Sequence, residues 1–456
     1  MGLVAEFLAS PHDRSAFVLR GYAGTGKTTL LSALVRLLRS MHKRPVLLAP
    51  TGRAAKVFGL YSGGGAYTIH KTIYRQRTFE GENTRFELAP NKRRNTLFIV
   101  DEASMLSTYG GGSIFGSGSL LDDLIMHVYE GEGCRLMLVG DTAQLPPVGD
   151  DESPALNPSV LEEYDLETFC ITLKDVVRQA ESSGVLWNAT RLRTLISTDA
   201  PEAAVPRFRL APFADISAIV GGELIEELES CYSEEGTTDT IVVTRSNRQA
   251  NRYNNGIRSR IFDREEPLER GDIIMVAKNN YYWTEEARKT LPEAERPPFD
   301  FIANGDLAEV VRVYRTEHLY GFTFAEVCLS FPDYDDYELD LLVLLDTLQA
   351  EAPALPRADA DRLFQTILED YAEYTRKGER IKKVRENLHY NALQIKYAYA
   401  VTCHKAQGGQ WSRVFVDQAG ITPEAIDTAY LRWLYTAVTR TTDRLYLVNL
   451  PESMRE

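Results

Sequence analysis

The stretch Gly21-Tyr22-Ala23-Gly24-Thr25-Gly26-Lys27-Thr28 stands between the apolar run Phe17-Val18-Leu19 and a second one opening at Leu30-Leu31. The spacing is G-x4-G-K-[ST], and the flanks read as a strand running into a helix. Such a loop turns consecutive backbone amides onto phosphate oxygens, and the helix that follows adds the positive end of its dipole. Few folds accept this arrangement, because it needs a buried strand, a glycine-rich turn and a helix packed back on the sheet. Gly21, Ala23, Gly24, Thr25, Gly26, Lys27, Thr28 and Thr29 are therefore expected to hold the phosphates of a nucleotide. The Lys27 ammonium would reach the β- and γ-phosphates, and the Thr28 hydroxyl would take one Mg²⁺ position.

Further apolar runs follow at Val46-Leu47-Leu48, Leu97-Phe98-Ile99-Val100 and Leu136-Met137-Leu138-Val139. A second set, without a phosphate loop, occupies Ile241-Val242-Val243, Tyr397 to Val401, Val414-Phe415-Val416 and Leu445 to Val448. Short continuous runs separated by helical stretches suit parallel sheets buried on both faces. The expectation is an α/β chain with two similar doubly wound domains, residues 1–170 and residues 171–262 together with 391–456. Two insertions interrupt them. Residues 71–95, around Glu80-Gly81-Glu82-Asn83, suggest a β-hairpin. Residues 263–390, with short strands and the turn Asn304-Gly305-Asp306, suggest a β-barrel-like module followed by an acidic helical segment. Gly110 to Gly118 reads as a mobile loop.

A net charge of −14 speaks against a polyanionic partner only until the charge is located. Twelve carboxylates lie between Phe331 and Glu373 against two arginines, and six cations follow from Arg376 to Arg385. A local basic groove can still bind phosphates on such a chain. The five cysteines never form C-x-x-C, which argues for a reducing interior with neither a zinc site nor a disulfide framework. They read as small core residues. No apolar run approaches the roughly 20 residues that cross a bilayer, and the start lacks a secretory signal. A cytoplasmic setting, nucleoid-associated or phage-encoded, is expected.

Asp101-Glu102 closes the run Leu97 to Val100, where a phosphate-loop enzyme keeps its acidic pair. Asp101 would hold the metal and Glu102 would polarise the attacking water. Gln144, in Gly140-Asp141-Thr142-Ala143-Gln144-Leu145-Pro146-Pro147-Val148, is placed to sense the γ-phosphate. Phosphoryl transfer also needs cations on the leaving charge. Arg178 and Arg440, both outside the first domain's core, would complete the site when an interdomain cleft closes.

These stretches, in order, resemble the motifs of superfamily 1 helicases. So do Ala49-Pro50-Thr51-Gly52-Arg53, Thr68-Ile69-His70, Val177-Arg178-Gln179, Val401 to Gly408 and Tyr435 to Arg440. The set is most similar to the RecD, Dda and PIF branch, and the matches run from Gly21 to Arg440. The resemblance implies two RecA-like motor domains on single-stranded DNA, a hairpin wedge in the first and an SH3-like insertion in the second. It implies an ATP-dependent helicase moving five-prime to three-prime, with ATP and Mg²⁺ as cofactors. The implied DNA contacts are Pro50, Thr51, Thr68 and His70 in one domain and Thr244, Asn247, Thr402 and His404 in the other. Gln407 and Gly408 would couple strand and nucleotide. The implied partners are single-stranded DNA and single-strand/duplex junctions, with replication or repair proteins as further candidates, no membrane, and a monomer as the working unit. Phe79 and Phe86 either stack on the last base pair as the wedge or hold the hairpin together as a cross-strand pair. Relatives place an adenine-reading glutamine upstream of the phosphate loop, whereas here none precedes Gln76, which leaves the base to stacking and backbone contacts or to a segment the sequence lacks. The alternatives are a non-unwinding motor subunit of a RecD-like nuclease complex and a nucleotide-dependent switch.

Overall fold

The structure, a computed structural model, describes residues 2–77, 85–109, 116–175, 182–197, 205–299 and 301–456. Among these residues, six parallel strands form the first sheet, in the order Tyr67–Thr68, Val46–Ala49, Leu97–Val100, Arg135–Gly140, Ser15–Gly21 and Glu167–Leu173. Leu97–Val100 is buried at every position, since helices cover both faces of the sheet. Phe17, Leu31, Val35 and Val139 fill one face, and Val18, Phe98, Leu124 and Leu138 fill the other. That two-sided burial is why the sequence shows continuous apolar runs instead of alternation. Three adjacent central strands bring Asp101, Asp141 and the phosphate loop to one edge of the sheet.

The second sheet is also parallel, in the order Ala400–Thr402, Thr240–Thr244, Trp411–Asp417, Thr441–Val448 and Ile216–Ile219. A closed barrel of Ile273–Val276, Leu307–Leu319, Phe322–Phe331, Tyr337–Leu344 and Leu393–Tyr397 forms the insertion. The helices Arg357–Asp370 and Lys377–Glu386 pack on it through Leu363, Ile367 and Val384 against Phe322 and Phe324. The first helix carries the expected acidic character, but the second is basic.

Two expected boundaries move. The limit at 170 cuts the strand Glu167–Leu173, which pairs with Ser15–Gly21 at the sheet edge. An edge strand is half-exposed, so Glu167, Thr168 and Thr172 confine its continuous apolar run to Phe169-Cys170-Ile171. Its Cys170 is exposed, unlike the other four cysteines. The run Tyr397 to Val401 is two strands, of which Leu393–Tyr397 closes the barrel and Ala400–Thr402 joins the second sheet. The insertion therefore ends at 397, not 390. At this joint the buried Asp272 carboxylate accepts hydrogen bonds from Arg258 at 2.9 and 3.0 Å, from Arg264 at 2.8 Å and from the Tyr399 hydroxyl at 3.0 Å.

The expected hairpin pairs Tyr74–Arg77 with Arg85–Leu88. Phe79 lies outside the described residues, as do residues 110–115 of the glycine-rich loop. Among the described residues, no helix is long and apolar enough to cross a membrane.

Candidate active site and nucleic-acid interface

The phosphate loop leaves the strand Ser15–Gly21 and enters the helix Lys27–Ser40. Gly24 and Gly26 adopt φ of 73° and 82°, a left-handed backbone that glycine takes without steric cost. At Gly21 the constraint is space, because a Cβ would stand 2.7 Å from the Lys27 side chain. The Lys27 ammonium donates to the carbonyls of Gly21 at 2.6 Å and Tyr22 at 2.9 Å, and lies 3.9 Å from the Asp141 carboxylate. The Thr25 hydroxyl donates to the Tyr22 carbonyl at 2.7 Å, which tightens the turn. Thr28 and Thr29 are exposed.

A cleft of about 510 Å³ opens over this loop between the two α/β domains. Lys27, Thr28, Thr29, Asp101, Glu102 and Gln144 line it from the first domain, and Arg440 lines it from the second. Burial, then the neighbouring Glu102 carboxylate, pushes the Asp101 carboxyl up to about 7. Glu102 has φ of 52°, a sparsely populated conformation for a residue with a side chain. The Gln144 side chain is buried, and its Oε1 has no hydrogen-bond partner among the described residues. Arg440 is also buried, its guanidinium donating to the carbonyls of Thr436 at 3.0 Å and Gly409 at 3.3 Å. Arg178 lies outside the described residues.

One link across the cleft had no counterpart in the sequence reading. The Tyr435 hydroxyl donates to the buried Asp141 carboxylate at 2.7 Å and accepts the Ala23 amide at 2.9 Å. Both residues lie inside quoted motifs, yet nothing in their spacing announces a contact across 294 positions. Beside it, the Leu145 amide donates to the Thr436 hydroxyl at 2.8 Å. Gln407 and Gly408, expected to couple strand and nucleotide, are not among the residues that line the cleft. The Gln407 amide donates to the Leu145 carbonyl at 3.0 Å, and a Cβ on Gly408 would stand 3.3 Å from the Thr51 hydroxyl. They bridge the loop that carries Gln144 to the segment that carries Thr51.

The residues expected to contact DNA sit at the carboxyl edges of both sheets, where doubly wound folds bind ligands. Thr51 and Thr68 cap the helices Gly52–Ser62 and Ile69–Ile73, accepting the amides of Ala54 and Lys71. Pro50 follows the strand Val46–Ala49, whose Ala49 pairs with Thr68, so the two segments are neighbours. His70 is largely buried, which brings its imidazole down to about 4 and keeps it neutral near pH 7. In the second domain Thr244 pairs with Thr402 in the sheet register. Thr244 corrects the expectation of a strand contact, because it is fully buried and its hydroxyl is spent on the Val401 and Ser246 carbonyls. Asn247 begins the helix Asn247–Arg260 half-buried, and His404 is exposed on the helix Cys403–Ala406.

Phe86 also departs from expectation. It stands opposite Gln76 in the hairpin register, and its ring is buried 4.4 Å from that of Tyr281, which lies 4.7 Å from Phe301. Its place at the hairpin base is not that of a tip wedge, and Phe79, the other residue of the expected pair, lies outside the described residues. Phe86 anchors the hairpin base to the insertion through Tyr281, which no sequence motif marks.

An AAA domain family model matches residues 3–204, and a UvrD-like helicase C-terminal domain model matches residues 397–448. The ATP-dependent RecD2 DNA helicase of Deinococcus radiodurans is 38% identical over 132 residues, 29% of this chain. The chain spans 16% of that relative's length. The ATP-dependent DNA helicase dda of Enterobacteria phage T4 is 24% identical over 438 residues, covering 92% of each protein. Among solved structures, Pif1 helicase from Bacteroides in complex with ADP-AlF3 and ssDNA is 15% identical, with a TM-score of 0.47 over 99% of this chain and 92% of that one. Family models thus match segments of both α/β domains, and with the motifs in order across them the chain is similar to superfamily 1 helicases of the RecD and Dda type.

Proposed function

We propose that the chain is an ATP-driven DNA helicase that moves five-prime to three-prime on single-stranded DNA and separates duplex ahead of it. The observation that carries this reading is the single cleft that sets Lys27, Thr28, Asp101, Glu102 and Gln144 of one domain against Arg440 of the other. The phosphate-loop amides and Lys27 bind the triphosphate, and Glu102 takes the proton of the attacking water. Gln144 orients that water with its otherwise unpartnered amide oxygen. Arg440, and Arg178 by resemblance, steady the charge on the leaving phosphate.

The donor set suits a magnesium ion, because the Thr28 hydroxyl and the Asp101 carboxylate, buried beside Glu102, are hard oxygen ligands. Bound there, the ion would neutralise charge on the β- and γ-phosphates.

Pro50, Thr51, Thr68, Asn247, Thr402 and His404 grip the strand backbone through hydroxyls, amides and helix N-termini, a grip without sequence reading. Closing the cleft draws the two grips together, and opening it releases one, so that each hydrolysis advances the chain. Because one chain supplies both walls of the cleft, a monomer suffices.

The test is unwinding of duplexes bearing a five-prime or a three-prime overhang, with ATPase followed in parallel. Strand-stimulated hydrolysis with opening of the five-prime substrate alone is expected. Hydrolysis indifferent to added strand would leave a nucleotide switch instead, and stimulation without opening would leave a translocase.

A further inference from the structure

A second cleft, of about 560 Å³, separates the helix Gly52–Ser62 and its Gly63–Gly65 turn from the insertion's Phe299, Phe301 and Tyr334. Thr68 and Lys71 line it as well, so it opens beside the expected strand path. Tyr67 stands in its wall with 48% of its surface exposed.

The ring is held in place without being buried. Tyr67 pairs with Leu48 at the carboxyl edge of the first sheet, immediately before the helix-capping Thr68. Gly65 lies under its hydroxyl end, where a Cβ would come within 3.4 Å of that oxygen. The Lys71 ammonium sits 5.4 Å from the ring centre. Across the cleft Phe299 and Phe301 are nearly buried, so they form an apolar wall and not a second platform. A fixed aromatic face and a neighbouring cation match two parts of one nucleotide, its base and its phosphate charge.

We propose that Tyr67 is a stacking platform for one base of the translocated strand, and that this cleft between the first motor domain and the barrel insertion receives that nucleotide. The inference rests on the helicase reading and adds to it a contact to a base, where the threonine grips touch only backbone. Stacking tolerates any base, because every base offers a π-face. The site therefore requires a base without selecting one.

Binding of a single-stranded oligonucleotide and of an abasic strand of equal length separates base from backbone. Tyr67→Ala is expected to weaken binding of the base-bearing strand about tenfold, within the range that stacking supplies, and to leave the abasic strand unchanged. Tyr67→Phe keeps the ring and should bind as the unaltered protein does. With 2-aminopurine scanned along the strand, one position should be quenched in the unaltered protein and bright in Tyr67→Ala. Equal weakening on both strands, no weakening at all, or quenching that survives the alanine change would overturn the proposal. Strand-stimulated ATPase of the unaltered protein distinguishes the two failures. Its absence removes the helicase reading, whereas its presence beside an indifferent Tyr67→Ala removes only the platform.

Discussion

Glu102 carries both a strained backbone and the carboxylate proposed to activate water. Its φ of 52° costs on the order of 1 kcal/mol or more, held by the surrounding fold. The conformation follows from the Asp101 carboxylate accepting the Glu102 amide at 2.9 Å, which turns the chain sharply at the strand end. Glu102→Gln should therefore keep nucleotide affinity and lower turnover by about 10² to 10⁴-fold, read by a fluorescent-nucleotide titration beside steady-state hydrolysis. Lys27→Ala should abolish turnover while single-strand affinity stays largely intact, and unwinding by that variant would sink the site assignment. Asp306 supplies a pH dependence. Burial raises its carboxyl to about 7, one oxygen accepts the Ala303 amide at 2.7 Å, and the other has no partner among the described residues. The folded state thus holds a proton that the unfolded chain releases near pH 4. Stability from this group is complete below about pH 4 and is lost as the pH rises towards 7. Melting temperature should fall between pH 5 and pH 8 by a few degrees more than in Asp306→Asn, which keeps the acceptor and cannot ionise.

At the scale of elements, the hairpin and the barrel show where sequence reasoning reached and where it stopped. Central strands such as Leu97–Val100 were legible because burial on both faces writes an unbroken apolar run. The edge strands Glu167–Leu173 and Ile216–Ile219 were not, because partial exposure dilutes the same signal. Motif residues of the cleft were legible because phosphate chemistry fixes their spacing along the chain. Tyr435 on Asp141 and Tyr281 on Phe86 were not, since each joins distant segments and leaves no local pattern. The second contact makes a prediction. Tyr281→Ala removes the ring that ties the hairpin base to the insertion, so strand separation should drop several-fold while strand-stimulated ATPase persists. Equal loss of both activities would mean that the ring serves only folding.

Across the whole molecule, the two α/β domains meet through polar contacts such as the buried Tyr435–Asp141 pair and through Ala143 and Leu145, which pack into the second domain's core. Tyr435→Phe deletes the hydroxyl between Ala23 and Asp141 and leaves a buried carboxylate oxygen short of its donor. A loss of about 1–3 kcal/mol is expected, read as a lower urea midpoint without change in the slope of the transition. The joint at Ala398-Tyr399 has a mechanical meaning. Only those two residues separate a stave of the barrel from a strand of the second sheet, and Asp272, Arg258 and Arg264 rivet the corner. Such a corner leaves no slack, so the barrel cannot trail behind its lobe like a bead on a string. A swing of that lobe would carry the barrel with it, and through the Tyr281 ring the hairpin base as well.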